Sequence, residues 1–173
     1  MKKVVTEKYL RDIVDELKRS ANKHRLDVRP GNRRFGVYRY LEDVYRVYLD
    51  LRSKRIAKKA KRIIAKRLQL SCNKNAHPIR VLIEASAAEE DNRAKSRWTQ
   101  ALIYAHTWRQ LPERLEWCFG VHGGISGAAA KLAALKKADR VRLQKTQGLS
   151  TVQPPQNTVF DKSSPEANVL ATP

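Results

Sequence analysis

Apolar residues recur along most of this chain at intervals of three and four, the period of a helix with one buried face. Tyr9, Leu10, Ile13, Val14 and Leu17 mark a first amphipathic helix from Thr6, its candidate cap, to about Lys23. Arg29-Pro30-Gly31-Asn32 has the chemistry of a turn, because proline fixes its own φ while glycine and asparagine tolerate positive φ. A second helix is predicted from near Gly36, with Val37, Leu41, Val44, Tyr48 and Leu51 forming a seam. Pro78 then opens a short, largely buried helix holding Ile79, Val81, Leu82, Ile83 and Ala85. Acids at Glu89, Glu90 and Asp91 precede a further helix whose Ala94, Trp98, Ala101, Leu102, Ala105 and Trp108 share an arc. Pro112 restarts the chain into a shorter helix with Leu115, Trp117, Cys118 and Phe119. No segment alternates in the manner of a strand, so the fold class expected is all-α.

Residues 52–67 change the picture. They carry nine Lys or Arg and no acid: Arg52, Lys54, Arg55, Lys58, Lys59, Lys61, Arg62, Lys66 and Arg67. At about 100° per residue, Arg52, Arg55, Lys59, Arg62 and Lys66 form one stripe and Lys54, Lys58 and Lys61 a second. Ile56, Ala57, Ala60, Ile63, Ile64 and Leu68 fall on the opposite arc. The apolar face therefore rotates by more than about 120° between Leu51 and Ile56. Either the helix breaks near Arg52-Ser53-Lys54, or one rod packs its two halves on different bodies. The absence of Gly and Pro from 51–70 and the richness in Arg, Lys, Ala and Leu favour a continuous rod, a long basic central helix.

Three segments are expected: N-terminal helices over 1–70, a compact helical core over 75–145, and a disordered tail over 146–173, where Gln, Ser, Thr and Pro replace the charges. All three tryptophans fall between positions 98 and 117, which locates the best-packed core in that middle segment.

The formal net charge of +19 and pI near 10.3 exceed what solubility requires, and such self-repulsion is relieved by an anionic partner. Nucleic acid is the expected partner, duplex DNA before RNA, with possible homodimerisation through the Tyr48 seam. A membrane surface is disfavoured because the apolar arc opposite the basic stripes has no Trp or Phe to bury in lipid. No spanning or signal segment is read, so the cytoplasm is the expected location.

Gly120-Val121-His122-Gly123-Gly124-Ile125-Ser126-Gly127 ends one helix and opens another, whose Ile125, Ala128, Ala129, Leu132 and Leu135 share a face. Residues 123–132 resemble the opening helix of helix-turn-helix DNA-binding proteins, in which a glycine-led turn precedes an Ala-Ala pair and a leucine. The resemblance implies a DNA-reading module of two helices. Those families continue with a glycine turn, whereas this chain reads Ala133-Ala134-Leu135-Lys136-Lys137-Ala138-Asp139-Arg140 with no turn residue. Free N–H groups at the start of that helix, near Ser126, would favour a phosphate, and Lys131, Lys136, Lys137, Arg140 and Arg142 follow.

Catalytic chemistry is not expected. The four histidines are scattered, Cys72 and Cys118 stand far apart, and no cofactor or metal motif is present. A magnesium nuclease built on Glu84, Glu89, Glu90 and Asp91 is the least implausible enzyme, though helix-start charge explains the last three. Tyr38, Tyr40, Tyr45 and Tyr48 interleave with arginines, a mixture that would stack single-stranded bases. The expected function is therefore a sequence-specific or architectural DNA-binding protein acting mainly on backbone phosphates, as a regulator or accessory factor of transcription, replication or segregation. An RNA-binding protein of a ribonucleoprotein particle and a factor gripping an acidic protein partner are the alternatives.

Overall fold

The structure, a computed structural model, describes residues 7–26, 33–70, 73 and 75–148. The expected turn at residues 29–32, the Thr6 cap, Cys72 and the tail beyond residue 148 lie outside these. The described residues are all-α: α1 (Glu7–Leu26), α2 (Arg33–Ser53), α3 (Ala57–Arg67), α4 (Pro78–Ser86), α5 (Asn92–Thr107), a 3-10 turn at Pro112–Arg114, α6 (Leu115–Val121) and α7 (Gly124–Gly148). By compactness the chain divides into residues 1–137 and 138–173.

In the first unit, α1 lies against α2, and α4 packs on α1, α2, α3 and α5. The hydrophobic spacing explains why. Leu10, Val14 and Leu17 of α1, Leu41, Val44 and Leu51 of α2, and nearly every apolar residue of α4 are buried. The buried side chains form one cluster from Leu10 to Leu132, which crosses the expected 1–70 and 75–145 segments. Leu41, Val44, Tyr48 and Leu51 of the α2 seam are buried within this same cluster and Val37 packs against it, so the seam is consumed inside the chain.

The rod expected over residues 37–70 is two helices. α2 ends at Ser53, and Arg55 takes a left-handed conformation at φ +58°. The Ile56 amide donates to the Leu51 carbonyl and the Arg55 amide to the Arg52 carbonyl, each at 2.9 Å, which is the Schellman pattern of helix termination. This turn absorbs the phase change between the seam and α3: it lets Leu51 stay buried while Ala60 and Ile64 are re-aimed inward. Composition favoured continuity, but propensity is a weak force and burial of both apolar faces outweighs it.

The same device recurs at two other non-glycine residues. Gln69 (φ +49°) ends α3 with Leu70 N–H on the Ala65 carbonyl, and Arg109 (φ +52°) ends α5 with Gln110 N–H on the Ala105 carbonyl, both at 3.0 Å.

The glycines do act where a turn requires them. Gly123 and Gly124 adopt φ +79° and +80°, joining α6 to α7. Gly127 lets the His122 carbonyl approach so closely that an added Cβ would lie 1.8 Å from its oxygen. α6, the Gly123-Gly124 turn and α7 form a helix, a turn and a helix, but the further helix that the resemblance of residues 123–132 implied does not open within α7. α7 continues from Gly124 to Gly148 without a turn, because Ala133 to Arg140 contains no residue that ends a helix.

The core is also differently furnished than the tryptophans suggested. Trp98 is buried, but Trp108 and Trp117 are 57% and 64% exposed. Trp108 is the C-cap just past α5, beyond its buried face, and Trp117 points away while Leu115, Cys118 and Phe119 fill α6's inner side.

Candidate functional site

The basic residues expected to act divide into four groups once the fold is known. Lys54 is taken up internally. Its Nζ lies 2.5 Å from Asp50 Oδ2 and 2.9 Å from the Tyr9 hydroxyl, and sits 5.1 Å above the Tyr9 ring. The hydrogen bond to Asp50, and then that to Tyr9, raise its pKa above the ordinary lysine value.

Lys58, Lys59, Arg62, Lys66 and Arg67 are exposed on α3, and Arg55 is exposed on the turn before it. No carboxylate among the described residues pairs with any of these six. The inner face of α3, through Ala60 and Ile64, holds the helix on the core while the opposite face displays the charge. Lys59, Arg62 and Lys66 follow one another at three- and four-residue steps on that face.

Between α3 and the start of α4 runs a groove of about 740 Å³, walled by Lys58, Lys61 and Arg62 on one side and by Asn75, Ala76 and His77 on the other. No acidic residue among the described residues lines it. Lys61 Nζ crosses it to donate to the Ala76 carbonyl at 2.9 Å. His77 is the N-cap of α4: its Nδ1 accepts the Ile79 amide at 3.3 Å. With Nδ1 accepting, the neutral ring carries its proton on Nε2.

Arg52, exposed in the last turn of α2, places Nη1 3.4 Å from His106 Nδ1. The rings of His106 and His77 lie 5.2 and 5.3 Å from the ring of Tyr48. Burial, then the nearby charges of His106, Lys136, Lys61 and Arg52, push the His77 pKa down to about 4. His106 is lowered too, by burial and then by Arg52. Lys136 on α7 is thereby brought into the field of the same histidine that α3 faces. No spacing in the sequence relates positions 61, 77, 106 and 136. The His77-Pro78 pair, a polar cap before a first-turn proline, is the one local signal that pointed near this place.

The remaining α7 residues lie apart from this cluster in role. Ser126 is exposed in the first turn, and Lys131 holds its Nζ 2.9 Å from His122 Nδ1. Lys137 is exposed. Arg140 and Arg142 are exposed on the portion of α7 that belongs to the second unit.

Several side chains on which two expected alternatives depend are engaged within the fold. Tyr40, Tyr45 and Tyr48 are at most 5% exposed, so their rings cannot receive bases. Arg46 is bound to Glu42, Asp43 and Glu113. Glu84, the carboxylate on which a metal-dependent nuclease would turn, is engaged by Arg80 and by the buried Lys95. No group of three potential metal ligands is assembled among the described residues. Cys118 is buried, and burial pushes its thiol pKa up, away from nucleophilic use. No helix among the described residues is long and apolar enough to cross a membrane.

Comparison with protein-family profiles, with curated proteins and with solved structures finds no match to this chain.

Proposed function

We propose that this protein binds nucleic acid, duplex DNA in the first instance, by laying the outer face of α3 and the adjoining groove along a phosphate backbone. The observation that carries this reading is the exposure of Arg55, Lys58, Lys59, Arg62, Lys66 and Arg67 with no carboxylate among the described residues to neutralise them. In a chain of net charge +19, such a face repels itself until an anion covers it. Each phosphate contact releases condensed counterions, so a protein neutralising about 6 to 10 phosphates loses on the order of 10³ to 10⁵ in affinity between roughly 50 and 200 mM salt.

α7 runs from Gly124 to Gly148 without a turn that would open a recognition helix within it, which favours phosphate-dominated, architectural binding over base reading of the helix-turn-helix kind. The role would be that of an accessory factor acting on DNA in the cytoplasm, not of a catalyst.

Salt-titrated binding to duplex DNA, hairpin RNA and single strands tests the proposal. The wild-type chain should hold the duplex with a steep salt slope. The folded variant carrying Lys59→Glu, Arg62→Glu and Lys66→Glu should release it. Undiminished duplex binding by that variant, with helical content intact by circular dichroism, would overturn the reading. Preference for the hairpin would reassign the partner to RNA.

A further inference from the structure

The stretch around α6 departs in charge from the rest of the chain. Residues 107–127 carry two arginines, Arg109 and Arg114, and two glutamates, Glu113 and Glu116, so they are formally neutral within a protein of net charge +19. Four large apolar side chains stand out of this stretch: Trp108, Leu111, Trp117 and Val121 are 57 to 64% exposed. On α6, Trp117, Gly120 and Val121 lie three and four residues apart, on the side opposite the buried Leu115, Cys118 and Phe119. A Cβ added at Gly120 would meet nothing within 4 Å, so a recess lies beside the Trp117 indole. The ring of Tyr104 lies 6.3 Å from that of Trp108 and 5.1 Å from that of His122, which joins the end of α5 to the end of α6.

We propose that this outer face of α6 is a two-fold interface between copies of this chain, in which Trp117 of each copy seats over Gly120 of the partner subunit and Val121 and Trp108 pack around it. The interface stands independently of the nucleic-acid reading, and it takes the place of the α2 seam, whose side chains are spent inside the fold.

Shape and charge both select a second copy as the occupant. A bulky indole and an open recess one helical turn apart on one face are exchanged by a two-fold axis between them, which is the self-complementarity an isologous contact requires. Two copies meeting over α3 would set like charges against each other. Here the two signs cancel, and among the described residues Arg109, Arg114 and Glu116 have no ionic partner within the chain, so they are free to pair across the axis. Nucleic acid is the poorer occupant, because Glu113 and Glu116 would face its phosphates and Arg46 draws Glu42 and Asp43 toward Glu113. At about 150–250 Å² per aromatic side chain, the two indoles leave roughly 200–300 Å² uncovered. With Leu111 and Val121 they form the apolar centre, and the charged residues the rim, of an interface that typically buries about 800 Å² per partner. Apolar contact withstands salt that screens phosphate contacts, so the dimer should persist where DNA is released.

Sedimentation equilibrium of the nuclease-treated chain in high salt, over a range of concentrations, tests the interface. The mass should rise from 19.8 kDa toward twice that and no further. Trp117→Glu should weaken association about thirtyfold or more, the size of a hot-spot loss. The indole is exposed in the single chain, so dilute samples of that variant should keep their circular dichroism spectrum and stability. Gly120→Leu separates a seated contact from mere stickiness. In the single chain its side chain enters open space and favours helix, so the fold is kept, yet it fills the recess and should weaken association about tenfold. A wild-type chain that stays single at every concentration, or a mass that climbs past two copies, would overturn the interface. So would folded Trp117→Glu or Gly120→Leu chains that associate as tightly as the wild type. None of these outcomes touches the nucleic-acid reading, which stands or falls on the α3 variant in the salt titration.

Discussion

The Ile56 amide donates to the Leu51 carbonyl at 2.9 Å across a left-handed Arg55, and this one closure separates the apolar seam of α2 from the cationic face of α3. An L-residue with a side chain pays about 1–2 kcal/mol to sit at positive φ, whereas glycine does so freely. Arg55→Gly should therefore stabilise the protein by up to about 1 kcal/mol, less than the full strain because glycine also loosens the unfolded chain. The urea midpoint should rise with an unchanged slope. Gln69→Gly and Arg109→Gly should behave alike, since both residues close the same motif.

The turn before α7 predicts the opposite sign. A Cβ on Gly127 would fall 1.8 Å from the His122 carbonyl oxygen, a backbone atom that moves only with the turn. Gly127→Ala should cost about 2 kcal/mol or more in chemical denaturation, within the range of backbone-strain mutations. Gly120, with nothing near its added Cβ, should accept alanine without penalty.

Lys95 is 4% exposed, and its ammonium is met by Glu84 at 3.2 Å and by the Ala88 carbonyl at 2.9 Å. Removing the carboxylate with Glu84→Ala strands a buried cation and should cost about 3–5 kcal/mol. Lys95→Met, which removes that charge and keeps an apolar stem, should cost much less in the same urea experiment. Equal losses in the two variants would show that the pair acts as ordinary packing.

His77 supplies a pH dependence. Its pKa is lowered from the ordinary 6.5 to about 4, so between these values the unfolded chain binds the extra proton. Stability from this residue is present above about pH 6.5 and is lost as pH falls toward 4. With solvent screening the effect should be on the order of 1–2 kcal/mol. His77→Asn keeps a side-chain acceptor for the α4 cap and removes the titration, so its urea midpoints should fall less steeply from pH 7 to 4 than those of the wild type.

Trp117 is 64% exposed and Trp98 is 9% exposed. Trp117→Ser should change stability by no more than about 0.5 kcal/mol, and Trp98→Ala should cost about 3–5 kcal/mol. Thermal melts of the two variants would separate them at once.

The contrast between these tryptophans shows how far the sequence could be read. The α1 and α2 apolar faces and the buried face of α4 were legible because each repeats every three or four residues, whereas the split of the expected 37–70 rod into α2 and α3 was not. The exposure of Trp108 and Trp117 was not, because both lie in short or terminal turns where a few residues fix no period. The Lys54–Asp50 pair was legible as a four-residue spacing, whereas the Tyr9 contact was not, because only packing of α1 on α2 brings Tyr9 to Lys54.

The sequence by itself determined an all-α chain with a strongly basic run at 52–67 whose alanines and isoleucines lie opposite its charges, since helical periodicity and net charge are properties of the order of residues alone. Tertiary structure decided that the run bends at Arg55, that Lys58, Lys59, Arg62, Lys66 and Arg67 of α3 stand exposed with no carboxylate beside them among the described residues, and that Arg52 of α2 reaches His106 of α5. The reason is physical: a break in mid-run is chosen by burying both apolar faces at once, and convergence of distant side chains depends on how helices cross, neither of which is written in local spacing.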